Sequence, residues 1–437
     1  MFPVTTLEVT SGAALSRAGM LMLLCMASCV SFAQQTVTLV NPYERVDWAT
    51  AGQYKANLHT HSTEGGGTNT PAEVIDFYHD RGYSILAFTD NDECTYPWED
   101  WGRVPEALGM LALRGNEHKN HEHIAGYFVC MKTDSSSETQ TLSEIGAGGG
   151  AAVLVHPGRY WELEGGKVPE EVLQRYVTRY TEFPQERLIG FEVFNAYNIH
   201  PRDRQLWDAL LGAMMPQRPV WGFANDDTHW FVYFGLPMAG LSWNVILAER
   251  LDEASVRAAM ETGRFYFSSV GTQVDPSLWN AALVPVITDI THDRTAGTVT
   301  VSALSGGQPL PEDRYRWISG GETVHIGPAL DYQNTPGLYR YVRLELESDG
   351  GSTLTNPFGI VVQEENEGEP PPQYHPGDLD GNGRFIMGEA LAYLAGWQQG
   401  VYPMSYAIRG VYLWQNGEMY GYDPGRMPPL CWDLAAE

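Results

Sequence analysis

The chain has 437 residues, of which 43% are hydrophobic, so it can bury a large core and is expected to contain more than one domain. Its formal net charge of −27 repels nucleic-acid phosphates, which argues against a nucleic-acid partner, and it is compatible with cation binding. The same composition excludes a chain that is disordered throughout.

The N-terminal segment predicts an exported protein. An apolar run over residues 18–30 and a small-x-small pattern ending at Ala33 are typical of an export signal, so we expect residues 1–33 to be removed. Residues 34–50 then form an N-terminal lead. The run is shorter than the ~20 residues of a spanning helix, and no permanent membrane span is expected. The predicted location is secreted, either extracellular or periplasmic, with lipidation at Cys29 as the alternative.

Residues 51–275 predict an α/β domain, because apolar strand-like runs alternate there with amphipathic helical segments. Thr70 and Glu73 form a capping box, with Pro71 at the first helical position, and so mark the start of one helix. Further helices are expected at 168–180, 201–213 and 251–262. The expected strands are 54–59, 84–89, 111–116, 151–155, 188–194 and 219–223.

Three further regions follow the α/β domain. Residues 276–363 contain alternating polar and apolar segments between Gly, Pro and Asp turns, which predicts a small Ig-like β-sandwich. Residues 364–375 are acidic and proline-rich, as in an extended linker. Residues 376–437 are expected to form a helical, EF-hand-like module that begins with a calcium-binding loop.

This calcium loop matches the pattern D-x-[DN]-x-[DN]-G-x5-E at every constrained position. Gly383 permits its sharp turn, and Phe385 supplies an apolar anchor before a helix over residues 390–397. The expected ligands of one calcium ion are Asp378, Asp380, Asn382, the backbone carbonyl of Arg384, and a bidentate Glu389.

Side chains that bind transition metals occur where the predicted strands end. His59 and His61 are two residues apart in an extended segment, so both imidazoles point to the same face. Asp227 and His229 repeat this spacing. A mixed set of histidines and carboxylates suits zinc, manganese or iron. The other candidate ligands at strand ends are Glu117, His123 and His156.

Six motifs resemble, in the same order, those of the PHP (polymerase and histidinol phosphatase) superfamily. They are NLHTHS at 57–62, LAFTDND at 86–92, GNE at 115–117, HIAGYF at 123–128, VHP at 155–157 and NDDTH at 225–229. The resemblance implies a distorted (β/α)7 barrel with metal-dependent hydrolase activity. Residues 263–268, together with a sandwich that ends near 355–358, are further similar to a secreted branch that includes carbamate hydrolases.

Carried over by motif, the resemblance assigns these side chains to two divalent transition metals. The implied ligands of the first ion are His59, His61, Glu117 and Asp227. Glu117 also bridges to the second ion, whose other implied ligands are His123 and His156. We therefore expect a dinuclear centre.

The third metal position of the family departs from its usual pattern in this chain. Two of its three usual ligands are replaced by Gly66 and Asn91, and only His229 remains. Because one imidazole holds a transition metal poorly, we expect this position to be vacant or filled adventitiously. Asp90 is expected to orient a ligand rather than to bind metal. The side chains considered as replacements are Glu64, which is nearest to the gap in sequence, and Asp92, His118 and His121.

Two ions that share a carboxylate can activate water for hydrolysis of a phosphoester, a carboxyl or carbamate ester, or an amide. The favoured prediction is a phosphoesterase that acts on a small-molecule or ester substrate. Asp227 and His229 are expected to take part in catalysis. Arg159 is expected to bind an anionic group, and His200 to act as an acid or substrate contact. The alternatives for these two are an exposed loop arginine and a helix-capping histidine.

An alternative from another class is a catalytically lapsed barrel that acts in calcium-dependent adhesion or assembly. The C-terminal module resembles one half of a dockerin, which implies a protein partner. Retention of both sets of metal ligands favours the enzyme over this alternative.

The cysteines that follow the expected signal are Cys94, Cys130 and Cys431. They are too few for a disulfide framework. We expect one disulfide bond at most, and the sequence leaves its pairing open.

Overall fold

The computed structural model describes residues 36–132, 135–273, 275–363, 373–398, 404–423, 426 and 429–435. The expected export signal, Cys29 and most of the expected linker lie outside these residues. Contacts divide the chain into a larger unit within residues 35–363 and a C-terminal unit within residues 364–437. Within the described ranges, no helix combines the length and the apolar character needed to cross a membrane.

The helices of the larger unit carry clear sequence signals at their N-termini. They are α1 (Pro71–His79), α2 (Pro105–Leu108), α3 (Glu138–Ala147), α4 (Glu170–Glu182), α5 (Asp203–Met214) and α6 (Glu253–Thr262). The capping box is confirmed, because the Thr70 hydroxyl accepts from the Glu73 backbone at 3.3 Å and the Glu73 carboxylate accepts from the Thr70 backbone at 2.8 Å. Helices α4 and α6 begin two residues later than predicted, because the cap residues Pro169 and Asp252 have extended backbone conformations.

The strands of the larger unit divide into those before and those after residue 275. The first group is β1 (Thr36–Val40), β2 (Gly52–Asn57), β3 (Ile85–Ala87), β4 (Leu111–Leu113), β5 (Gly115–His118), β6 (Ile124–Tyr127), β7 (Ala151–Leu154), β8 (Leu188–Asn195), β9 (Trp221–Asn225), β10 (Val232–Tyr233), β11 (Leu236–Pro237), β12 (Ser242–Ala248) and β13 (Phe265–Ser269). The second group is β14 (Val286–Asp293), β15 (Thr298–Ser305), β16 (Gln308–Pro309), β17 (Tyr315–Ser319), β18 (Glu322–Ile326), β19 (Ala329–Asp331), β20 (Tyr341–Ser348), β21 (Gly351–Thr355) and β22 (Phe358–Gln363).

Two sheets carry the predicted metal ligands. Strands β5 to β9 form a five-stranded sheet in sequence order, in which β7, β8 and β9 are parallel. A larger sheet has the order β1-β22-β20-β21-β13-β12-β2-β3-β4, and only the β2–β3 and β3–β4 pairs are parallel along this path. Its β13–β21 pair joins strands on either side of residue 275, so hydrogen bonding continues across the expected start of the sandwich.

The α/β class is confirmed, but the described strands do not form the closed (β/α)7 barrel implied by the resemblance. The expected strand 111–116 is interrupted at Arg114, whose side chain is paired with Glu253 at 2.8 Å. As a result β4 pairs with β3 in one sheet, whereas β5 pairs with β6 in the other. Single bridges, Thr60–Thr228 and Asn91–Glu117, connect the two sheets beyond the strand ends.

Apolar burial explains this arrangement. The side chains of β7, β8 and β12 are buried along the whole strand, as expected for strands covered on both faces. Helices α4 and α5 pack their apolar faces over the five-stranded sheet, with Tyr176, Tyr180, Leu206 and Trp207 fully buried. The strand ends are thereby held in one place, and the polar residues beyond them converge.

The C-terminal unit has its own small core. Its elements are α7 (Met387–Gln398), α8 (Met404–Gln415), β23 (Tyr420–Tyr422) and β24 (Trp432–Leu434). Phe385, Leu413 and Trp432 are fully buried in this core. The Phe385 backbone N–H donates to the Glu418 carbonyl at 2.7 Å, and the Tyr420 N–H donates to the Gly383 carbonyl at 3.0 Å. Backbone hydrogen bonds thus join the turn after α8 to residues 383–385.

Candidate metal centre

The strand ends bring the predicted ligands together. His59 and His61 follow β2, Glu117 lies in β5, His156 follows β7, and Asp227 follows β9. The first four of these side chains are almost completely buried. Two sets place ligand atoms within 4.8 Å of one another, namely His59 with His61 and Asp227, and His59 with Glu117 and His156.

Backbone hydrogen bonds fix the positions of the ligands on β2 and β9. The Asp227 N–H donates to the His59 carbonyl at 2.9 Å, and the His61 N–H donates to the Thr228 carbonyl at 3.0 Å. Asp227 and His156 have φ values of 48° and 32°, in the left-handed region that non-glycine residues rarely adopt. Such strain is concentrated at functional sites, where the surrounding structure maintains it.

In the first set, the imidazoles face a carboxylate. The Asp227 Oδ1 atom lies 3.2 Å from His59 Nε2 and 3.1 Å from His61 Nε2. The two Nε2 atoms are 3.3 Å apart. All three atoms therefore surround one small space, and this set matches the first implied ion.

Glu117 lies between the two sets. Its Oε1 atom is 3.0 Å from His156 Nε2 and 2.8 Å from His123 Nδ1, while its Oε2 atom is 3.3 Å from His61 Nε2. Oε1 also lies 3.4 Å from His59 Nε2, so this carboxylate contacts imidazoles of both sets. The implied role of Glu117 is therefore geometrically feasible.

The outer ring nitrogens determine which atoms are available for a metal. His59 Nδ1 lies 3.1 Å from the Glu192 carboxylate, and His61 Nδ1 lies 3.1 Å from the Gly65 carbonyl. Both partners only accept hydrogen bonds, so each Nδ1 carries a proton, and in a neutral ring the lone pair of Nε2 points into the space between the two rings. A divalent metal ion placed there satisfies both lone pairs and the two neighbouring carboxylates. The residues therefore fit a divalent metal ion.

Glu192 is a contributor that the motifs do not reveal. It is fully buried in β8. Besides contacting His59, it accepts from the His156 backbone at 2.8 Å and from the side-chain amides of Asn195 at 3.0 Å and Asn225 at 2.9 Å. An acidic residue within the otherwise apolar run LIGFEVF is the signal in the chain that could have indicated it.

The electrostatics of the centre favour ionised carboxylates. Burial alone would lower the pKa of His61, but Asp227 and Glu117 outweigh it and raise that pKa to about 9. Burial alone would raise the pKa of Glu117, but His59, His123 and His156 hold it well below its usual value. The pKa of Asp227 is likewise lowered, mainly by His59 against the effect of burial. The carboxylates thus keep their charge at neutral pH and attract cations.

The residues at the third metal position do meet in space. A side chain added at Gly66, which has a φ of 109°, would place its Cβ 2.7 Å from Asn91 Nδ2 and 3.5 Å from His229 Cε1. His229 Nδ1 donates to the Gly66 carbonyl at 2.9 Å, and Asn91 Nδ2 donates to the Gly65 carbonyl at 3.2 Å. The side chains of His229 and Asn91 thus form hydrogen bonds with backbone carbonyls at this position.

The expected replacement ligands lie elsewhere. Glu64 is exposed, and Asp92 lies 3.9 Å from Lys119. His118 is buried, and this burial lowers its pKa to about 4. His121 contacts the Glu122 carbonyl and the Thr141 hydroxyl. Among the described residues, none of the four joins a ligand group of the metal centre.

Asp90 and the two predicted substrate contacts occupy different environments. Buried Asp90 accepts from both the backbone N–H and the hydroxyl of Ser62 at 2.6 Å, next to His61. Arg159 is exposed, and His200 is half-buried. Burial, Arg202 and His156 lower the pKa of His200. Neither Arg159 nor His200 has a side-chain hydrogen bond or ion pair with another described residue, and the backbone N–H of Arg159 donates to the His156 carbonyl at 3.0 Å.

The disulfide that the sequence leaves open joins Cys94 to Cys130, whose Cα atoms are 5.4 Å apart. Cys431 is buried and free. The bond links the segment after β3 to the segment after β6. Thr95, the neighbour of Cys94, donates its hydroxyl hydrogen to Asp90. The bond therefore restrains the loop that carries Asp90 and Asn91.

The calcium loop forms a second, separate ligand group in the C-terminal unit. Carboxylate oxygens of Asp378, Asp380 and Glu389 lie within 4.8 Å of one another. The Glu389 carboxylate accepts from the backbone of Leu379 at 2.9 Å and of Ile386 at 3.1 Å, which holds it over the loop. Asp378 accepts from the Tyr420 hydroxyl at 2.6 Å.

Comparisons with known proteins give only distant similarities. No family model and no curated protein matches the sequence. A two-domain protein from Bacteroides vulgatus, which contains a predicted PHP-like metal-dependent phosphoesterase, is 13% identical, with a TM-score of 0.41 over 73% of this chain and 96% of that one.

Two further solved structures are less similar. An amidohydrolase from Chromobacterium violaceum is 18% identical, with a TM-score of 0.30 over 40% of this chain and 87% of that one. A proposed metal-dependent phosphoesterase from Bifidobacterium adolescentis is 16% identical, with a TM-score of 0.33 over 48% of this chain and 96% of that one. At such low values, the function has to be inferred from the centre itself.

Proposed function

We propose that this protein is a secreted metal-dependent hydrolase with a dinuclear centre, and that its substrate is a phosphoester. The observation that carries the proposal is the pair of His59 and His61 Nε2 atoms, 3.3 Å apart, with both outer nitrogens engaged by acceptors. Burying this set beside two carboxylates is costly without a cation, whereas a bound metal satisfies every member.

The motifs define the two proposed sites, whose members overlap the two converging sets of side chains. The first holds its ion with His59, His61, Glu117 and Asp227, and the second with Glu117, His123 and His156. When bound, zinc, manganese or iron would supply Lewis acidity that activates water and polarises an ester oxygen. The PHP resemblance favours phosphoesters. Carboxyl or carbamate esters and amides are the alternative substrates for the same chemistry.

Residues of the chain itself orient and protect this chemistry. Glu192 holds His59 in one tautomer, and the Gly65 carbonyl does the same for His61. His229 is partly exposed, with its Nε2 atom 3.4 Å from Asp227 Oδ1. Because Nδ1 donates to the Gly66 carbonyl, Nε2 is the atom that can accept a proton at the opening of the centre. Arg159 and His200 stay proposed substrate contacts.

The proposed secretion also has support from the chain. The Cys94–Cys130 disulfide is typical of proteins in oxidising compartments, such as the periplasm or the extracellular space. The export-signal pattern at residues 1–33 agrees with this location. N-terminal sequencing of the secreted protein tests it, with Gln34 as the expected first residue. A blocked, lipid-modified Cys29 would instead show that the lipidation alternative is right.

The test of the hydrolase is metal analysis combined with a substrate panel. The chelated protein is reconstituted with zinc, manganese or iron and assayed on phosphomonoesters, phosphodiesters and carboxyl esters. We expect about two metals per chain and turnover of at least one phosphoester. His59→Ala should lose both, whereas His79→Ala, which changes an exposed histidine on α1, should retain them. Less than one metal per chain, or no turnover in any class, would refute the proposal.

We also propose that residues 378–389 bind one calcium ion. The convergence of Asp378, Asp380 and Glu389 supports this site, together with Asn382 and the Arg384 carbonyl at the remaining loop positions. Isothermal titration calorimetry of the mature chain tests it. Calcium binding that Glu389→Gln leaves unchanged would contradict the assignment. Asp433→Asn is the matched control, because Asp433 is an acidic residue of the same unit that pairs with Arg409 and Arg426, outside the loop.

A further inference from the structure

The segment that follows the ligand Asp227 carries an unusual set of exposed aromatic and aliphatic side chains. Strands β10 and β11 form a hairpin in which Tyr233 pairs with Leu236. Phe234, at its tip, is 89% exposed. Exposing this much apolar surface has no benefit for folding, so the hairpin requires another explanation.

The backbone of the hairpin strengthens this point. Phe234 and Gly235 form its two-residue turn with φ values of 48° and 82°, the signs that a type I′ turn requires. Asn, Asp or Gly is favoured at the first of these positions, and a bulky aromatic residue is strained there. The chain therefore keeps a phenyl ring at a position where folding alone would select a different residue. Such local conflicts are typical of functional positions.

The hairpin is held firmly at its base. Phe231 stacks on Phe77 of α1, with ring centroids 4.2 Å apart. The Met238 N–H donates to the Phe231 carbonyl at 2.9 Å. A fixed base allows the side chains at the tip to form one wall of a defined cavity.

This cavity, which we call the aromatic cleft, has a volume of about 460 Å³ and is lined mainly by Tyr197, Tyr233, Phe234, Leu236, Met238 and Trp279. None of its described lining residues is charged. The Trp279 indole donates to the Gln273 carbonyl at 3.0 Å, which fixes the ring. The volume is within the usual range for small-molecule sites. The surroundings suit an uncharged, planar group.

A series of ring contacts connects the aromatic cleft with the metal centre. His229 stacks on the ligand His61 with centroids 4.2 Å apart, and Trp230 follows at 5.5 Å from His229. Tyr233, which lines the cleft, stacks on Trp230 at 4.9 Å. On the other wall, Tyr197 is two residues from Asn195, whose amide contacts Asp227 at 3.2 Å. The cleft is therefore built from continuations of the segments that form the centre.

We propose that the aromatic cleft binds the aromatic leaving group of the ester substrate, so that this protein prefers aryl esters. This inference rests on the proposed hydrolase function, because it assigns a position to one part of the substrate. Stacking on Tyr233, Phe234 and Trp279 would hold the leaving group while the ester reaches the metal centre. Binding energy of this kind selects among substrates that share the same reacting group.

The first test measures binding without catalysis. Titration calorimetry of 2-naphthol into the mature chain should show saturable binding, weakened about tenfold by Phe234→Asn and by Trp279→Ala. Because Asn is favoured in the turn, Phe234→Asn should not lower the melting temperature, which separates binding from folding. Val232→Thr, on the same hairpin but outside the cleft lining, is the matched control and should bind normally. Equal affinity in Phe234→Asn and the unchanged chain would overturn the proposal.

The second test uses the metal-loaded enzyme with 2-naphthyl and phenyl phosphates, whose leaving groups have similar acidity. The ratio of their kcat/KM values should favour the naphthyl ester and fall about tenfold in Phe234→Asn. Hydrolysis of both esters with the same ratio in the variant would refute the cleft but not the hydrolase. Binding of 2-naphthol without turnover of any ester would refute the hydrolase and, with it, the assignment to a leaving group.

Light scattering tests whether the exposed hairpin serves self-association of the chain instead of ligand binding. If the unchanged chain forms dimers that Phe234→Asn dissociates, and 2-naphthol binding is unaltered, the exposed side chains serve self-association and the cleft proposal is wrong. A monomer whose 2-naphthol binding depends on Phe234 supports the cleft.

Discussion

The metal centre and the calcium loop are both groups of convergent carboxylates, but they are assembled in opposite ways. The centre draws His59, Glu117, His156 and Asp227 from separate strand ends and buries almost all of them. The calcium loop uses one continuous segment, 378–389, which is largely exposed apart from Asp378 and the anchor Phe385. Its ligands are oxygen atoms alone, whereas the centre adds imidazole nitrogens.

The two sites therefore differ in the cation that they suit and in how far they depend on the overall fold. Imidazoles in a buried, preorganised site suit transition metals, while a flexible ring of oxygens suits calcium. A local loop can form wherever its segment is anchored. The centre exists only when two sheets are in place, so metal binding there should be coupled to folding. Substitutions in each site should therefore have separable effects.

The largest expected effect is that of His59→Ala on catalysis. His59 contacts Asp227 and Glu117 and belongs to both ligand groups of the centre. Because loss of an outer partner alone costs about 10- to 100-fold, we expect loss of this ligand to lower kcat/KM by at least about 100-fold. Steady-state kinetics with metal analysis measures it. Calcium binding should be unchanged, and a joint loss would mean that the two sites are not independent.

Glu192→Gln should have the next largest effect. The substitution keeps the shape of the side chain but removes the charge that orients the His59 ring and compensates its proton. We expect metal affinity or activity to decrease about 10- to 100-fold with little change in the fold. Competition with a chelator measures the affinity. Glu170→Gln, on the exposed start of α4, is the control, and equal behaviour of the two variants would exclude an orienting role.

Glu389→Gln should affect the calcium loop and not the metal centre. Removing one charge from the loop should weaken calcium binding about tenfold and reduce the stabilisation that calcium confers on the C-terminal unit. Thermal unfolding with and without calcium measures this. Hydrolysis should stay within about twofold of the unchanged chain. A parallel loss of hydrolysis would show that the calcium site supports the metal centre.

Glu64→Ala should have the smallest effect. Glu64 is exposed and lies outside the described ligand groups, so metal content and kcat/KM should change by no more than about twofold. Elemental analysis and kinetics with the same substrates check this. Loss of a bound metal in this variant would revive Glu64 as a ligand of the third position and make the centre trinuclear.

Local features were predictable because they depend on neighbours in sequence. The Thr70 capping box forms as predicted, and the carboxylates of the calcium loop converge as their spacing requires. The ligands at strand ends were predictable for a related reason. His59 and His61 follow β2 instead of lying in it, and their Nε2 atoms still meet at 3.3 Å.

Features that join distant segments were not predictable in this way. Glu192 can contact His59 only because β8 lies next to the end of β2 in the fold. The pairing of Cys94 with Cys130 depends on where β3 and β6 end. The break at Arg114, which sends β4 and β5 into different sheets, follows from long-range pairing. Similarly, the sequence marked His229 as a candidate ligand but could not show its hydrogen bond to the Gly66 carbonyl.

Residue chemistry and local spacing were enough to predict the candidate metal ligands, their position near strand ends and the acidic pattern of the calcium loop. Only the folded structure shows how those side chains form two sets and which nitrogen of each imidazole meets an outer acceptor. It also shows that the hairpin after Asp227 lines an aromatic cleft. The physical reason is that hydrogen-bond geometry and burial depend on segments far apart in the chain, which only packing of the core brings together.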